Sequence, residues 1–278
     1  MVAGEVGLDK IGTNGDKIAA ETIGFGAAVE RRGPKTVGVH MSMVIDNCQT
    51  AWIGKANVTA TSEASAKKVN AKGTKLVIDT SFTTGLLATK DFAALDLSLN
   101  KVAGLWMKSD IVIAAGVLGL VIDESSACAS PSETLLIPAL AAGQWRYVKL
   151  PFDGARAGRD AIISVGITAI SDPGAATLFI DQVNAGSEFV GIAENDSARD
   201  SYAAGNQITI IDQGKAIVDL EVGETCLAGD ALIPVGNGKF GPDSAGGLTD
   251  IGTKTLLSRM TAVNDQAVAA GEVAGRMM

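Results

Sequence analysis

Phe189 to Pro242 reads FVGIAENDSARDSYAAGNQITIIDQGKAIVDLEVGETCLAGDALIPVGNGKFGP, and this stretch decides the fold class. Within it, Lys215 to Val222 (KAIVDLEV) alternates: Ala216, Val218, Leu220 and Val222 face one way, while Lys215, Asp219 and Glu221 face the other. Ile217 is the exception. That period of two marks a half-buried strand. Gly205, Gly214, Gly229 and Gly238 fall between the alternating pieces, where hairpins call for positive φ. The expectation is short strands and tight turns.

Outward from this stretch the pattern repeats. Ile162 to Ile170 (IISVGITAI) sets Ile163, Val165 and Ile167 on one face. Thr177 to Val183 (TLFIDQV) follows the turn signal Asp172-Pro173-Gly174. Trp145 to Phe152 (WRYVKLPF) points Val148, Leu150 and Phe152 to one side. Leu76 to Asp79 and Leu118 to Asp123 are further short strands. Ser62 to Val69 reads as a short helix or a loop, and Thr253 to Ala270 as a helix or a strand with a turn. With 33 glycines, 4% aromatic and 19% charged residues, the composition suits β-structure better than a helical bundle. The fold class is therefore all-β.

The chain is long enough for two domains. Residues 44–185 read as a self-contained β-sandwich, with strands and polar turns at sandwich spacing. Residues 1–43 are too few to fold alone, so they are expected to fold with 186–278 around the insertion. The segment from Met1 to Glu21 has no periodicity. It reads as either an extended arm or a frayed terminus.

Two resemblances follow from these residues. Phe189, Gly191, Ile192 and Ala193, then Tyr202, Gly205, Ile208 and Ile210 match the small β-domain of tailed-bacteriophage capsid cement (decoration) proteins. So do Gly214, Val218, Leu220 and Val222, then Ala228, Gly229 and Asp230, and finally Gly238, Lys239 and Phe240. Ile23 to Val29 (IGFGAAV) resembles that family's early strand, and Leu256 to Ala262 its closing strand. The resemblance implies a β-barrel-like, discontinuous capsid-binding domain. It also implies a virion structural protein on the outer capsid surface, a homotrimer bound to the major capsid protein, made in the host cytoplasm.

The insertion resembles the jelly-roll of carbohydrate-binding modules. Val44 to Trp52 (VIDNCQTAW), Gly73 to Asp79, Gly104 to Ser109 (GLWMKS), Gly143 to Phe152 and Leu178 to Val183 (LFIDQV) carry that likeness. It implies eight or nine strands and does not by itself imply sugar binding; the alternative function is a virion carbohydrate-binding or adhesion protein whose jelly-roll binds host or environmental glycans, with a glycan as partner. Asp46 and Asp181 match positions near a structural calcium site in such modules. Two carboxylates fall short of the six to eight oxygens that calcium takes. No cofactor, catalytic residue or metal ligand is assigned.

The remaining signals have plain readings. The net charge of −8 argues against direct nucleic-acid binding. No charged segment and apolar run open the chain as a signal peptide does, and the apolar stretch Ile111 to Ile122 is too short for a bilayer. Cys48, Cys128 and Cys226 form no CxxC and read as reduced, packed thiols. His40 is the only histidine, and nothing around it suggests a nucleophile, so an enzyme is not expected. Gly236, Gly238 and Gly241 spell GxGxxG, but Pro242 follows and no βαβ unit is visible, so a hairpin turn is expected. Trp106 and Trp145 are expected in the core, with Trp52 the least determined of the three tryptophans. Glu30 to Lys35 (ERRGPK) reads as a solvated hairpin tip or a contact with an acidic coat surface. Asp79, Asp123 and Glu124 read as solvated strand ends, and the Asn57-Val58-Thr59 sequon has no secretion signal to go with it.

Overall fold

The computed structural model describes residues 17–152, 156–187, 189–194, 201–211, 214–219, 225–226, 231–242, 260–262, 266–267 and 272–277. Among them the only helical pieces are 3-10 turns at Ala64–Ala66, Ser126–Cys128, Arg156–Arg159 and Gly236–Gly238. The chain is all-β. It divides into two compact units, Met1–Ser42 with Glu188–Met278, and Met43–Ser187.

Among the described residues, four strands precede the insertion: β1 (Lys17–Ala19), β2 (Ile23–Gly24), β3 (Ala28–Arg31) and β4 (Thr36–Val39). The insertion holds β5 (Met43–Asp46), β6 (Ile53–Gly54), β7 (Val58–Glu63), β8 (Gly73–Ile78), β9 (Gly85–Leu95) and β10 (Val102–Ser109). It continues with β11 (Leu118–Asp123), β12 (Glu133–Leu136), β13 (Arg146–Pro151), β14 (Ile162–Ala169) and β15 (Ala176–Gly186). Beyond it run β16 (Phe189–Ala193), β17 (Ser201–Tyr202), β18 (Gln207–Ile208), β19 (Ile210–Ile211) and β20 (Gly214–Asp219). The last are β21 (Thr225–Cys226), β22 (Ala231–Pro234), β23 (Phe240–Pro242), β24 (Met260–Ala262), β25 (Gln266–Ala267) and β26 (Glu272–Met277).

The insertion is a jelly-roll-like sandwich with eleven strands among its described residues, more than the eight or nine expected. One sheet runs β13-β10-β15-β8-β7, with β5 also paired to β15, and the other runs β12-β11-β14-β9-β6. Alternation builds the core between them. Leu105, Met107, Val148, Leu150, Leu178 and Ile180 from the first sheet meet Leu87, Leu118, Leu120, Ile122, Val165 and Ile167 from the second. Phe152 packs half-buried against this core. Ile163 does not join it, contrary to the expectation. A register shift between Ile162 and Ser164 turns Ile162 inward in its place.

β15 changes partner along its length. Ala176 to Ile180 pair with β8, while Val183 to Ala185 pair with β5. Asp181 and Gln182 fill the gap, and Gln182 takes φ +49°. Gly73 sits beneath the crossing turn: a Cβ there would run into the Ala66 carbonyl.

The discontinuous unit contains a six-stranded sheet in the order β18-β1-β4-β3-β16-β19, in which only β1 and β4 run parallel. Lys17 to Ala19, the end of the proposed arm, are thus a strand; residues 1–16 lie outside the described residues. β17 pairs with β2, β21 with β25, and β20-β26-β24-β22-β23 form a further sheet. Ala19, Ile23, Ala27, Val29 and Val37 share a core with Ala193, Tyr202, Ile208 and Ile210. Leu220, Val222, Ala228, Gly229, Asp230 and residues 253–259 lie outside the described residues. The ambiguous 253–270 segment contains β24 and β25 in its described part.

Candidate functional site

Leu105 and Met107 point into the sandwich, so Trp106 and Lys108 between and beyond them stand on the opposite face of the sheet. The register extends this into rows across the strands. Trp106 lies between Tyr147 of β13 and Asp181 of β15. Lys108 lies opposite Phe179, which lies opposite Lys75 of β8, which lies opposite Thr61 of β7. Trp145 adjoins this second row from the start of β13.

The rows touch. The Trp106 and Tyr147 rings meet edge-on at 5.2 Å, and Trp145 and Phe179 at 6.4 Å. The Lys108 ammonium lies 5.2 Å from the Trp145 ring centroid and 4.4 Å from that of Phe179. Lys68 lies 5.0 Å over Trp106. Trp145, Lys108, Phe179, Lys75 and Thr61 are half-buried and reach solvent, whereas Trp106 and Tyr147 are buried. Trp106 Nε1 is buried without a hydrogen-bond partner. Lys149 stands opposite Gly104 in the next row, half-buried, and desolvation pulls its ammonium down to about 7.

The carboxylates on this face are engaged internally. Asp181, fully buried, accepts the backbone N–H groups of Lys68, Val69 and Asn70 at 2.7, 2.8 and 3.2 Å, and the Asn70 amide at 3.0 Å. It thereby straps residues 68–70 across the sheet. Glu63 pairs with Lys75 at 3.5 Å and accepts from Thr61 and Ser65. Asp110 accepts the Thr177 N–H at 2.7 Å.

Three readings of single residues are corrected. Trp145 is not a core residue but half-buried on the outer face of the sheet, and Trp106, buried as expected, lies on that same outer face rather than between the sheets. Trp52, the least determined, is the core tryptophan, 2% exposed, with its indole N–H donating to Asp46 at 2.8 Å. The Glu30–Lys35 run is the β3–β4 hairpin, with Arg31, Pro34 and Lys35 exposed at its tip as expected, but Glu30 does not belong to that solvated tip. Glu30 is fully buried, 3.1 Å from Arg32 and 3.3 Å from His40, and accepts the Met41 N–H. Asp123 is buried, accepting from Ser125 and Ser130, while Asp79 and Glu124 are exposed as expected.

Asp46 and Asp181 do not assemble a calcium cage. Asp46 Oδ2 accepts from Cys48 and Trp52, and both Asp181 oxygens accept from the strap. No group of three metal-binding side chains occurs among the described residues. His40 is buried beside Glu30 and edge-on to Phe189 at 5.8 Å. The GxGxxG is the β22–β23 hairpin turn. Cys48 and Cys128 are buried and unbridged. Burial, with Asp46 beside it, pushes the Cys48 thiol well up, and burial raises Cys128 too, which leaves both protonated and inert. The Cys226 side chain lies outside the described residues. Among those residues no helix is long and apolar enough to cross a membrane.

No protein-family model matches the chain, and no curated protein does. Solved structures align over about half of it. A family 11 carbohydrate-binding module from Clostridium thermocellum, in complex with a β-1,3-1,4-mixed-linked tetrasaccharide, aligns at 12% identity and TM-score 0.37, covering 52% of this chain and 95% of its own. A family 29 carbohydrate-binding module aligns at 8% and 0.33, over 54% and 91%. An exo-β-agarase aligns at 15% and 0.36, over 54% and 25%. At such scores the sandwich assignment rests on the strand pairing above.

Proposed function

We propose that this chain is a non-catalytic capsid decoration protein of a tailed bacteriophage. The discontinuous unit binds the major capsid protein on the outer shell, as a homotrimer. The observation that carries this reading is the meeting of the cement-like segments. Ile23 to Val29 and Phe189 to Ala193 are far apart in sequence, yet Val29 pairs with Gly191 and Ala28 with Ile192. Tyr202 pairs with Ile23. The Gly236–Gly238 turn docks on the same unit, with Gly238 N–H donating to the His40 carbonyl and Phe240 edge-on to Phe189. Pieces that resemble one small domain in sequence are one unit in space.

A ligand that binds only the assembled lattice stabilises it by mass action, and a trimer adds avidity. Cryo-electron microscopy of particles containing the chain tests this. Density for trimers bridging coat subunits on the outer shell is expected. Density confined to a tail, or none on the particle, overturns the reading.

The outer face of the sandwich favours a second reading, glycan binding. Half-exposed Trp145 and Phe179, flanked by Thr61, Thr177 and lysines, combine apolar ring surface with polar groups as sugar sites require. A glycan array with the full chain, beside the Phe179→Ala variant, tests it. Binding lost in the variant supports the assignment, and no binding by the native chain sinks it.

A further inference from the structure

The aromatic row is not a free stacking platform. The Lys108 ammonium sits over both Trp145 and Phe179, and Lys75 follows Phe179 in the same row. Among the described residues no carboxylate forms an ion pair with Lys108. Asp181 is held by the strap and Glu63 by Lys75, while Asp110 accepts the Thr177 N–H through one oxygen. A chain of net charge −8 therefore presents a cation, held by two rings, on a sheet face whose acids are engaged.

We infer that this face takes an acidic polysaccharide, with a sugar carboxylate or sulfate seated on Lys108 and the sugar chain running along the row toward Lys75. This rests on the glycan-binding reading of the sandwich and names its substrate class. The rings hold the ammonium by cation–π attraction, so the charge is positioned before the ligand arrives. Lys108 and Lys75 are two strands apart, about 10 Å from the inter-strand spacing. That is the scale of one to two sugar residues, which suits a polymer charged at regular intervals. Lys75 is reached by exchanging its half-buried Glu63 partner for the ligand anion.

Isothermal titration of the full chain tests the inference with three probes: an alginate oligosaccharide, a heparin-type sulfated oligosaccharide and a neutral mixed-linked glucan oligosaccharide. Binding of one or both acidic probes is expected, and which one separates carboxylate from sulfate. Affinity should fall steeply between about 0.05 and 0.5 M NaCl. Lys108→Ala should weaken it by roughly tenfold or more, and Lys108→Arg should retain most of it. Equal binding of the neutral probe without salt dependence overturns the acidic preference and leaves glycan binding standing. Acidic binding untouched by Lys108→Ala overturns the seat. Binding of none of the three removes the glycan reading itself.

Discussion

At the scale of single residues, two buried carboxylates hold the molecule in different ways. Asp181 satisfies three backbone N–H groups that would otherwise be buried without acceptors. Asp181→Ala should cost about 2–4 kcal/mol in urea unfolding and open residues 64–72 to proteolysis, because the orphaned donors bear the full desolvation penalty. Glu30 is pushed up by burial, but the His40 hydrogen bond and charge, the Met41 N–H and Arg32 together hold it below the ordinary carboxylate value. A folded-state value below the unfolded one means stability that is present above the unfolded pKa and lost as pH falls through the folded one. Glu30→Gln should flatten that acid limb in a pH series of thermal melts; an unchanged limb would place the acid sensitivity elsewhere.

At the scale of elements, local irregularities decide which side chains enter the core. The register shift in β14 puts Ile162 in the sandwich core and leaves Ile163 half-buried outside it. Ile162→Ala should therefore cost about 2–5 kcal/mol, and Ile163→Ala clearly less. Equal losses would contradict the shift. The β22–β23 hairpin is docked through Gly238, which has φ +72° and would place a Cβ 2.7 Å from Val39. Gly238→Ala should destabilise by about 1–3 kcal/mol. Gly205→Ala, at φ +85° in open space, should cost less, since only the backbone is strained. Chemical denaturation of the two variants side by side checks the contrast.

At the scale of the whole molecule, the insertion has its own core and adjacent ends. Met43 pairs with Ala185, so the two ends of the sandwich lie side by side, and its core draws only on residues between Met43 and Ala185. Residues 43–187 expressed alone should unfold cooperatively with a melting temperature close to that of one transition of the full chain. The core of the discontinuous unit joins Ala19 to Val37 with Ala193 to Ile210. Neither flanking piece alone should give a cooperative melt, whereas the two joined by a short linker should.

The sequence by itself determined the all-β class, the strands at Trp145–Phe152 and Thr177–Val183, and the hairpin nature of Gly236–Gly241. Those follow from period-two alternation and turn chemistry, which act over a few residues. Only the tertiary structure decided the sidedness of Trp106 and Trp145, because a tryptophan on either face of a strand looks the same in sequence. It also decided the burial of Glu30, Asp123 and Asp181, whose partners come from backbone groups and from segments distant in the chain. The Asp181 strap joins residues more than a hundred positions apart. The aromatic and cationic row is assembled from strands brought together only by sheet order, so it has no linear motif. Alternation specifies which residues share a face within a strand; long-range pairing specifies which strands share that face.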